Sequence, residues 1–250
     1  METIIVVPDL QIPYHDKKAV EGVSRYIAVT QPDQVVVIGD MLDFPYLSTK
    51  FLRNGVEPDR VLKDIKVAQQ YLSLWGQYTP QLHFIEGNHE ARLANYILEK
   101  APQLEAFMGK ELSVQKLLDP SGSLFSGGYH GPYGTAYVHK SFVFKHGDSA
   151  TTAAARAELT MEGSSGMSGH THRFDSAYRS DRKGAHAWWS IGCLCNVKGK
   201  NIPPGVYAGK NRLLNWQQGF ATIRFWQGGF NVYPINITNG HFVDPEGRQW

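Results

Sequence analysis

Five short stretches of this 250-residue chain carry side chains that can hold a cation. In chain order they are Asp9 and Gln11 in "PDLQIP", Asp40 and Asp43 in "GDMLD", Asn88, His89 and Arg92 in "GNHEAR", His146 in "KHGD", and His170 and His172 in "GHTHR". Carboxylates, amide oxygens and imidazoles without thiolates suit Mn²⁺, Mg²⁺, Fe, Zn²⁺ or Ni²⁺ and disfavour a structural cysteine-zinc site. The set offers more donors than one four- to six-coordinate ion needs. Two ions sharing a bridging carboxylate, about 3.5–4 Å apart as in other two-metal hydrolytic sites, account for it economically. Such a pair acidifies water and clamps the oxygens of a phosphoryl group during in-line displacement. Singly each stretch is weak, since a GDxxD is often a turn with a helix cap. Their order and their shared position after strand-like runs carry the argument.

The elements that position them follow from periodicity. "TIIVV" and "QVVVI" are β-branched runs and "QLHFI" is a third strand. Between them, "KKAVEGVSRYIAV" places Val20, Val23 and Ile27 at helical spacing behind an Asp16 cap, and "VLKDIKVAQQYLSLW" carries Leu62, Ile65, Ala68, Leu72 and Trp75 as one stripe. This βαβαβ order predicts a parallel sheet covered by helices, whose strand C-termini converge on one edge and bring the five stretches to one crevice. Residues 102–137 are punctuated by Gly and Pro and read as an insertion, expected to form a lid or wall of the cleft. Further on, "AYVHKSFVFKHG" reads as a strand, "TTAAARAEL" as a helix and "SSGMSGHTH" as a short strand. Residues 174–250 are β-rich and expected to complete a second sheet, with the whole chain 1–250 forming a single domain.

The series Dx(H/Q), GDxxD, GNHE, HG and GHxH resembles the calcineurin-like metallophosphoesterase superfamily, with matches from Asp9 to His172. That resemblance implies an α/β fold, a four-layer α/β/β/α sandwich with mixed sheets, around a dinuclear centre. It implies that Asp9, Gln11, Asp40 and His172 hold one ion, and that Asp40, Asn88, His146 and His170 hold the other, with Asp40 as the bridge. His89 is then the catalytic imidazole that protonates the leaving oxygen, and Asp43 orients it. Gln11 departs from the pattern, because most members have histidine there. A neutral amide oxygen is the weaker donor, so this half favours a harder ion such as Mn²⁺ or Mg²⁺ over zinc, or Gln11 only hydrogen-bonds a bound water. The same DxQ variant suggests a phage-encoded member.

Arg92 is placed either to hold a substrate phosphate as a guanidinium fork or to form a surface ion pair. Arg173 and Asp148 read as structural supports. Tyr14, Phe44 and Tyr46 flank ligand loops and could stack on a base, though packing is the simpler job. His15, His83, His130, His139, His186 and His241 have no partner spacing.

Composition narrows the class. Hydrophobic residues are 42% and charged residues 19%, with no apolar run able to span a bilayer and no basic leader, so a cytoplasmic protein is expected, in the host if phage-encoded. Cys193 and Cys195 alternate within "SIGCLCNV", which does not suggest a disulfide framework. The net charge of +2 does not by itself point to nucleic acid, yet Arg179, Arg182, Lys183, Lys198, Lys200, Lys210 and Arg212 face a single acid, Asp181. That bias suits a polyanion, or is a solvated loop surface. The expected activity is hydrolysis of phosphodiesters, or phosphomonoesters, of nucleotides or nucleic acid with two divalent ions, Mn²⁺ first. The alternatives are a DNA or RNA nuclease related to double-strand-break repair enzymes, a protein phosphatase, and a scaffold that kept the fold and lost its metals. Phe44 stands where protein phosphatases of the superfamily carry arginine, which argues against a phosphoprotein substrate.

Overall fold

β-Branched runs become the inner strands of a sheet because they pack well on a pleated surface. In the computed structural model, which describes residues 1–48, 59–199, 201–203 and 214–250, strands β1 (Glu2–Val7), β2 (Gln34–Val37), β3 (Gln81–Ile85) and β4 (Gly128–His130) run parallel in that order. Val6 lies opposite Val36, and Val36 opposite His83. Strands β10 (Gly219–Trp226) and β11 (Gly229–Asn236) extend this sheet antiparallel from the free edge of β1, giving six strands ordered β11-β10-β1-β2-β3-β4.

The second sheet has five strands ordered β5-β6-β7-β9-β8, formed by β5 (Tyr137–His139), β6 (Phe142–Lys145), β7 (Gly166–Ser168), β8 (Phe174–Asp181) and β9 (Gly184–Ile191). The inner faces of both sheets meet in one apolar layer containing Ile4, Val36, Ile85, Phe142, Phe144 and Ile223. Helices α1 (Lys17–Thr30), α2 (Asp59–Gly76) and α5 (Val114–Leu118) cover the outer face of the first sheet around Val23, Trp75 and Leu118. Helix α6 (Ala154–Glu162) covers the second around Leu159 and Trp188. The result is the expected α/β/β/α sandwich with mixed sheets.

Local chemistry explains the helices. Asp16 caps α1, its Oδ1 accepting from Lys18 N at 3.1 Å and Ala19 N at 3.3 Å. On α2, Ile65, Ala68, Leu72 and Trp75 are buried, whereas Leu62 is 58% exposed. Leu62 lies about 100° around the helix from the centre of that stripe, too far to reach the sheet. Trp188 and Trp189 point to opposite faces of β9, one into each apolar layer.

Three segmental expectations change. Only part of 102–137 leaves the core: α4 (Pro102–Met108), which follows α3 (Ala91–Lys100), has no buried residue, but α5 contributes Val114 and Leu118 and β4 pairs with β3. A three-residue strand is too short to show a period. Residues 174–250 do not all complete the second sheet, because β10 and β11 join the first; alternation identifies a strand but not the edge on which it pairs. "AYVHKSFVFKHG" is the hairpin β5–β6, turned at Lys140 and Ser141 with φ of 48° and 65°. Among the described residues no helix is long and apolar enough to cross a membrane.

Candidate metal centre

Strands β1, β2 and β3 of one sheet and β6 and β7 of the other end at the same edge of the sandwich, and the five candidate stretches follow them. The backbone there is unusual. Asp9, Gln11, Asp40, His170 and His172 all adopt positive φ, between 42° and 66°, a conformation that costs an L side chain energy and concentrates at functional sites. Main-chain hydrogen bonds hold it in place: Gln11 N donates to Asp40 O at 2.8 Å, Ile12 N to Met41 O at 2.9 Å and Leu194 N to Asp9 O at 3.0 Å. Gly39, at φ 90°, has no room for a side chain, since a Cβ would lie 2.7 Å from Gly87 Cα.

Glu90, the last residue of GNHE, ties these loops together. Its carboxylate accepts from Asp40 N at 2.8 Å, Leu42 N at 2.9 Å and Gly87 N at 2.8 Å. Burial, then the charge of Asp40, pushes its pKa up to about 7 against those bonds. The sequence reading passed over Glu90 as motif context, because nothing in "GNHE" says that its fourth residue points at backbone.

Among the described residues the donors read from the sequence form two groups that share Asp40, namely Asp9, Asp40 and His172, and Asp40, His146 and His170, while a third group joins His172 to Cys193 and Cys195. In the second, Asn88 Oδ1 is 3.0 Å from His146 Nε2 and 2.8 Å from His170 Nδ1, and His146 Nε2 is 3.4 Å from Asp40 Oδ2. Donors bound to one ion at about 2.1 Å are separated by about 3.4 Å, so this spacing suits a small divalent cation. His146 Nδ1 lies 2.9 Å from Ile38 O, which places the proton there and leaves the Nε2 lone pair facing the group. In the first, His172 Nε2 is 3.3 Å from Asp9 Oδ1. Gln11 Nε2 stands 3.1 Å from His172 Nε2 and 3.3 Å from Asp40 Oδ2, while Gln11 Oε1 is buried without a partner. The two ends of an amide are almost isosteric, so half a turn of the side chain aims that oxygen at the group and satisfies it. The residues therefore fit two divalent ions.

Electrostatics agree with this fit. Burial works against protonation of His146, but Asp40 outweighs it and raises the imidazole to about 10. His172 rises to about 9 for a similar reason, the charges of Cys193 and Asp9 overcoming burial. Asp40 is held well below the ordinary carboxylate range despite its burial, chiefly by His146 and His89. Protons here occupy a field made for cations.

Beside the two groups, His89 Nδ1 is 2.9 Å from Asp43 Oδ1, and His89 Nε2 is 3.7 Å from Asp40 Oδ2. Arg92 pairs with a buried carboxylate, its Nη1 lying 3.8 Å from Asp43 Oδ2. It donates to Asp43 O at 2.6 Å, and its other terminal nitrogen is 2.9 Å from His89 Nε2. Asp148 and Arg173 support loops: Asp148 meets Lys145 Nζ at 2.5 Å, and Arg173 donates to Thr151 O at 2.7 Å. Phe44 is packed into the helix-side core. Of the basic run, Arg179, Arg182 and Lys183 sit at the tip of the β8–β9 hairpin, a strand's length from the crevice, and Lys200, Lys210 and Arg212 lie outside the described residues.

Three neighbours of the centre had no sequence signal. Tyr133, in the loop after β4, donates to Gly147 O at 3.1 Å and stands edge-on to His146 with ring centroids 5.9 Å apart. Trp216 meets the His172 ring edge-on at 4.3 Å. Cys195 Sγ lies 3.8 Å from His172 Nδ1 and 3.4 Å from Cys193 Sγ, and both thiols are free and buried.

No family model matches the chain. Two whole-length relatives do. The Gene 54 protein of Mycobacterium phage L5 is 31% identical over 275 residues, spanning 99% of this chain and 98% of that protein. The Gene 54 protein of Mycobacterium phage D29 is 30% identical over 269 residues with the same coverage. The chain belongs to the Gene 54 protein family. Among solved structures, Vps29 of Chaetomium thermophilum superposes with a TM-score of 0.51 at 12% identity, covering 100% of this chain and 90% of that one. The shared fold is that of the calcineurin-like metallophosphoesterases.

Proposed function

We propose that this Gene 54 family chain is a phosphodiesterase dependent on two divalent metal ions, acting on nucleotides or on accessible ends of nucleic acid in the host cytoplasm. The observation that carries the reading is the meeting of two donor groups on one buried carboxylate, Asp40. Asp9, Gln11, Asp40 and His172 would hold one ion, and Asp40, Asn88, His146 and His170 the other. Bound there, divalent ions supply Lewis acidity, which acidifies water and neutralises phosphoryl oxygens. Oxygen-rich ligation by Asp9, Gln11 and Asp40 favours Mn²⁺ in the first position.

The rest falls to the chain's own groups. Asp43 orients His89 through Nδ1, leaving Nε2 to face the crevice and protonate the departing oxygen. Arg92 rests on that Nε2, so proton donation requires the guanidinium to let go. A phosphoryl group gives Arg92 a charge-assisted alternative, coupling substrate arrival to release of His89. Phe44 faces the helix-side core and gives the site no charge, so a phosphoprotein substrate has no support.

The test is a parallel assay with Mn²⁺ on bis-p-nitrophenyl phosphate, p-nitrophenyl phosphate, 2′,3′-cyclic AMP and linear single- and double-stranded DNA. Turnover of the diesters above the monoester is expected. No turnover of any substrate by protein shown to carry metal would refute the enzyme.

A further inference from the structure

Trp216 meets His172, in the metal centre, and also lines a cavity of ≈ 340 Å³, large enough for a nucleobase and its sugar. The segments that line the cavity are tied to the ligand loops. Gln217 N donates to His172 O at 2.8 Å and Asn196 N to Tyr14 O at 2.8 Å, and within the lining Ile237 N donates to Gln218 O at 2.8 Å. Backbone hydrogen bonds thus link the cavity lining to the ligand loops, and the Trp216 indole is common to both.

Its lining has a definite chemistry. Val197 and Ile237 supply apolar surface and Trp216 an aromatic one, the combination on which a flat ring stacks. The amide NH₂ groups of Asn196 and Gln218 are consumed by the fold: the first donates to Tyr14 O at 2.7 Å, the second to Asp16 Oδ2 at 2.9 Å and Cys195 O at 2.9 Å. That leaves their carbonyl oxygens as fixed acceptors for a ring N–H or exocyclic amine. The acid in the lining, Asp16, is occupied by Gln218 and by the helix terminus it caps, while Lys198 is exposed and brings positive charge to the cavity.

We propose that this cavity is a subsite for a nucleoside of the phosphodiester substrate, its base stacked on Trp216 while the phosphate lies against the metal centre. The proposal rests on the phosphodiesterase reading for its phosphate and on the cavity for its base. It names the substrate class: diesters carrying at least one nucleoside.

The experiment compares p-nitrophenyl thymidine 5′-phosphate with bis-p-nitrophenyl phosphate in Mn²⁺, and measures adenosine and thymidine binding by equilibrium dialysis with ribose as control. Two variants are used: Trp216→Ala, and Asn236→Trp, which adds bulk to the cavity lining from the exposed end of β11. Circular dichroism checks that both fold. In the unmodified chain kcat/KM for the nucleoside ester should exceed that for the plain diester by at least about tenfold, and the ratio should fall towards one in both variants. A ratio unchanged in both variants, with no nucleoside retained on dialysis, overturns the subsite and leaves the hydrolase standing. If neither ester turns over, the hydrolase falls. Adenosine retained by the unmodified chain and lost in both variants would then still uphold the subsite.

Discussion

The two halves of the candidate centre use similar donors but differ in what stands behind them. In the Asn88, His146 and His170 half, the ring of His146 is pinned through Nδ1 to Ile38 O, and Asn88 Oδ1 sits within 3.0 Å of His146 Nε2 and 2.8 Å of His170 Nδ1. In the Gln11 and His172 half, one amide oxygen lacks a partner and the Nδ1 of His172 faces a thiol at 3.8 Å instead of a carbonyl. A donor fixed in advance loses less freedom when an ion arrives, and a hard backbone partner makes an imidazole a better ligand. The Asn88, His146 and His170 half should therefore hold its ion firmly, and the Gln11 and His172 half should exchange it.

The comparison is broken most directly at the shared residue. Asp40→Ala should remove both ions and lower diesterase kcat/KM by about 10³-fold or more, with elemental analysis showing neither metal retained. Retention of one ion at full occupancy would show that the halves do not share this carboxylate. Next, His146→Ala should weaken its ion by about 100-fold, and Gln11→Ala should weaken the other by about tenfold, measured by competition with a chelating dye. Equal losses would remove the asymmetry.

The pH dependence gives a third handle. In protein stripped of ions, His146 and His172 have pKa values raised from 6.5 to about 10 and about 9. Their protons therefore stabilise the fold fully below pH 6.5, and that contribution disappears as pH rises through about 9 to 10. Ions displace these protons, so apparent metal affinity should climb about tenfold per pH unit for each proton displaced. The Tm difference between Mn²⁺-loaded and chelator-treated protein should widen from pH 7 to pH 9, and a constant difference would contradict the charge balance drawn above. The smallest effect is Gln11→His, which should tighten one site of the two by roughly tenfold and shift its preference towards zinc. Unchanged affinity and preference would remove Gln11 from the ligand set.

Much of the architecture was legible because period is a local property. The runs around Val6, Val36 and Phe84 and the α1 stripe of Val20, Val23 and Ile27 read directly as strands and helix. The candidate donors that the structure brings together were legible in residue type and order, from Asp9 to His172. Trp216 and Tyr133 were not, because they reach the centre by contacts between distant segments and carry no spacing of their own, and the alternation of Cys193 and Cys195 gave no sign that Cys195 meets His172. The pairing of β10 with β1 was hidden for the same reason, since either sheet could bury the same alternating strand.

For the residue that departs from the metallophosphoesterase pattern the sequence resembles, residue type alone set its chemical character: Gln11 brings a neutral amide. Tertiary structure decided its circumstances. The positive φ at Gln11 and the bond from its N–H to Asp40 O carry the side chain into the space between Asp40 and His172, and burial leaves its oxygen without a partner there. Residue type sets what a donor can bind, but the direction it faces and the groups it is buried among come from chain segments far away in sequence, which no local pattern records.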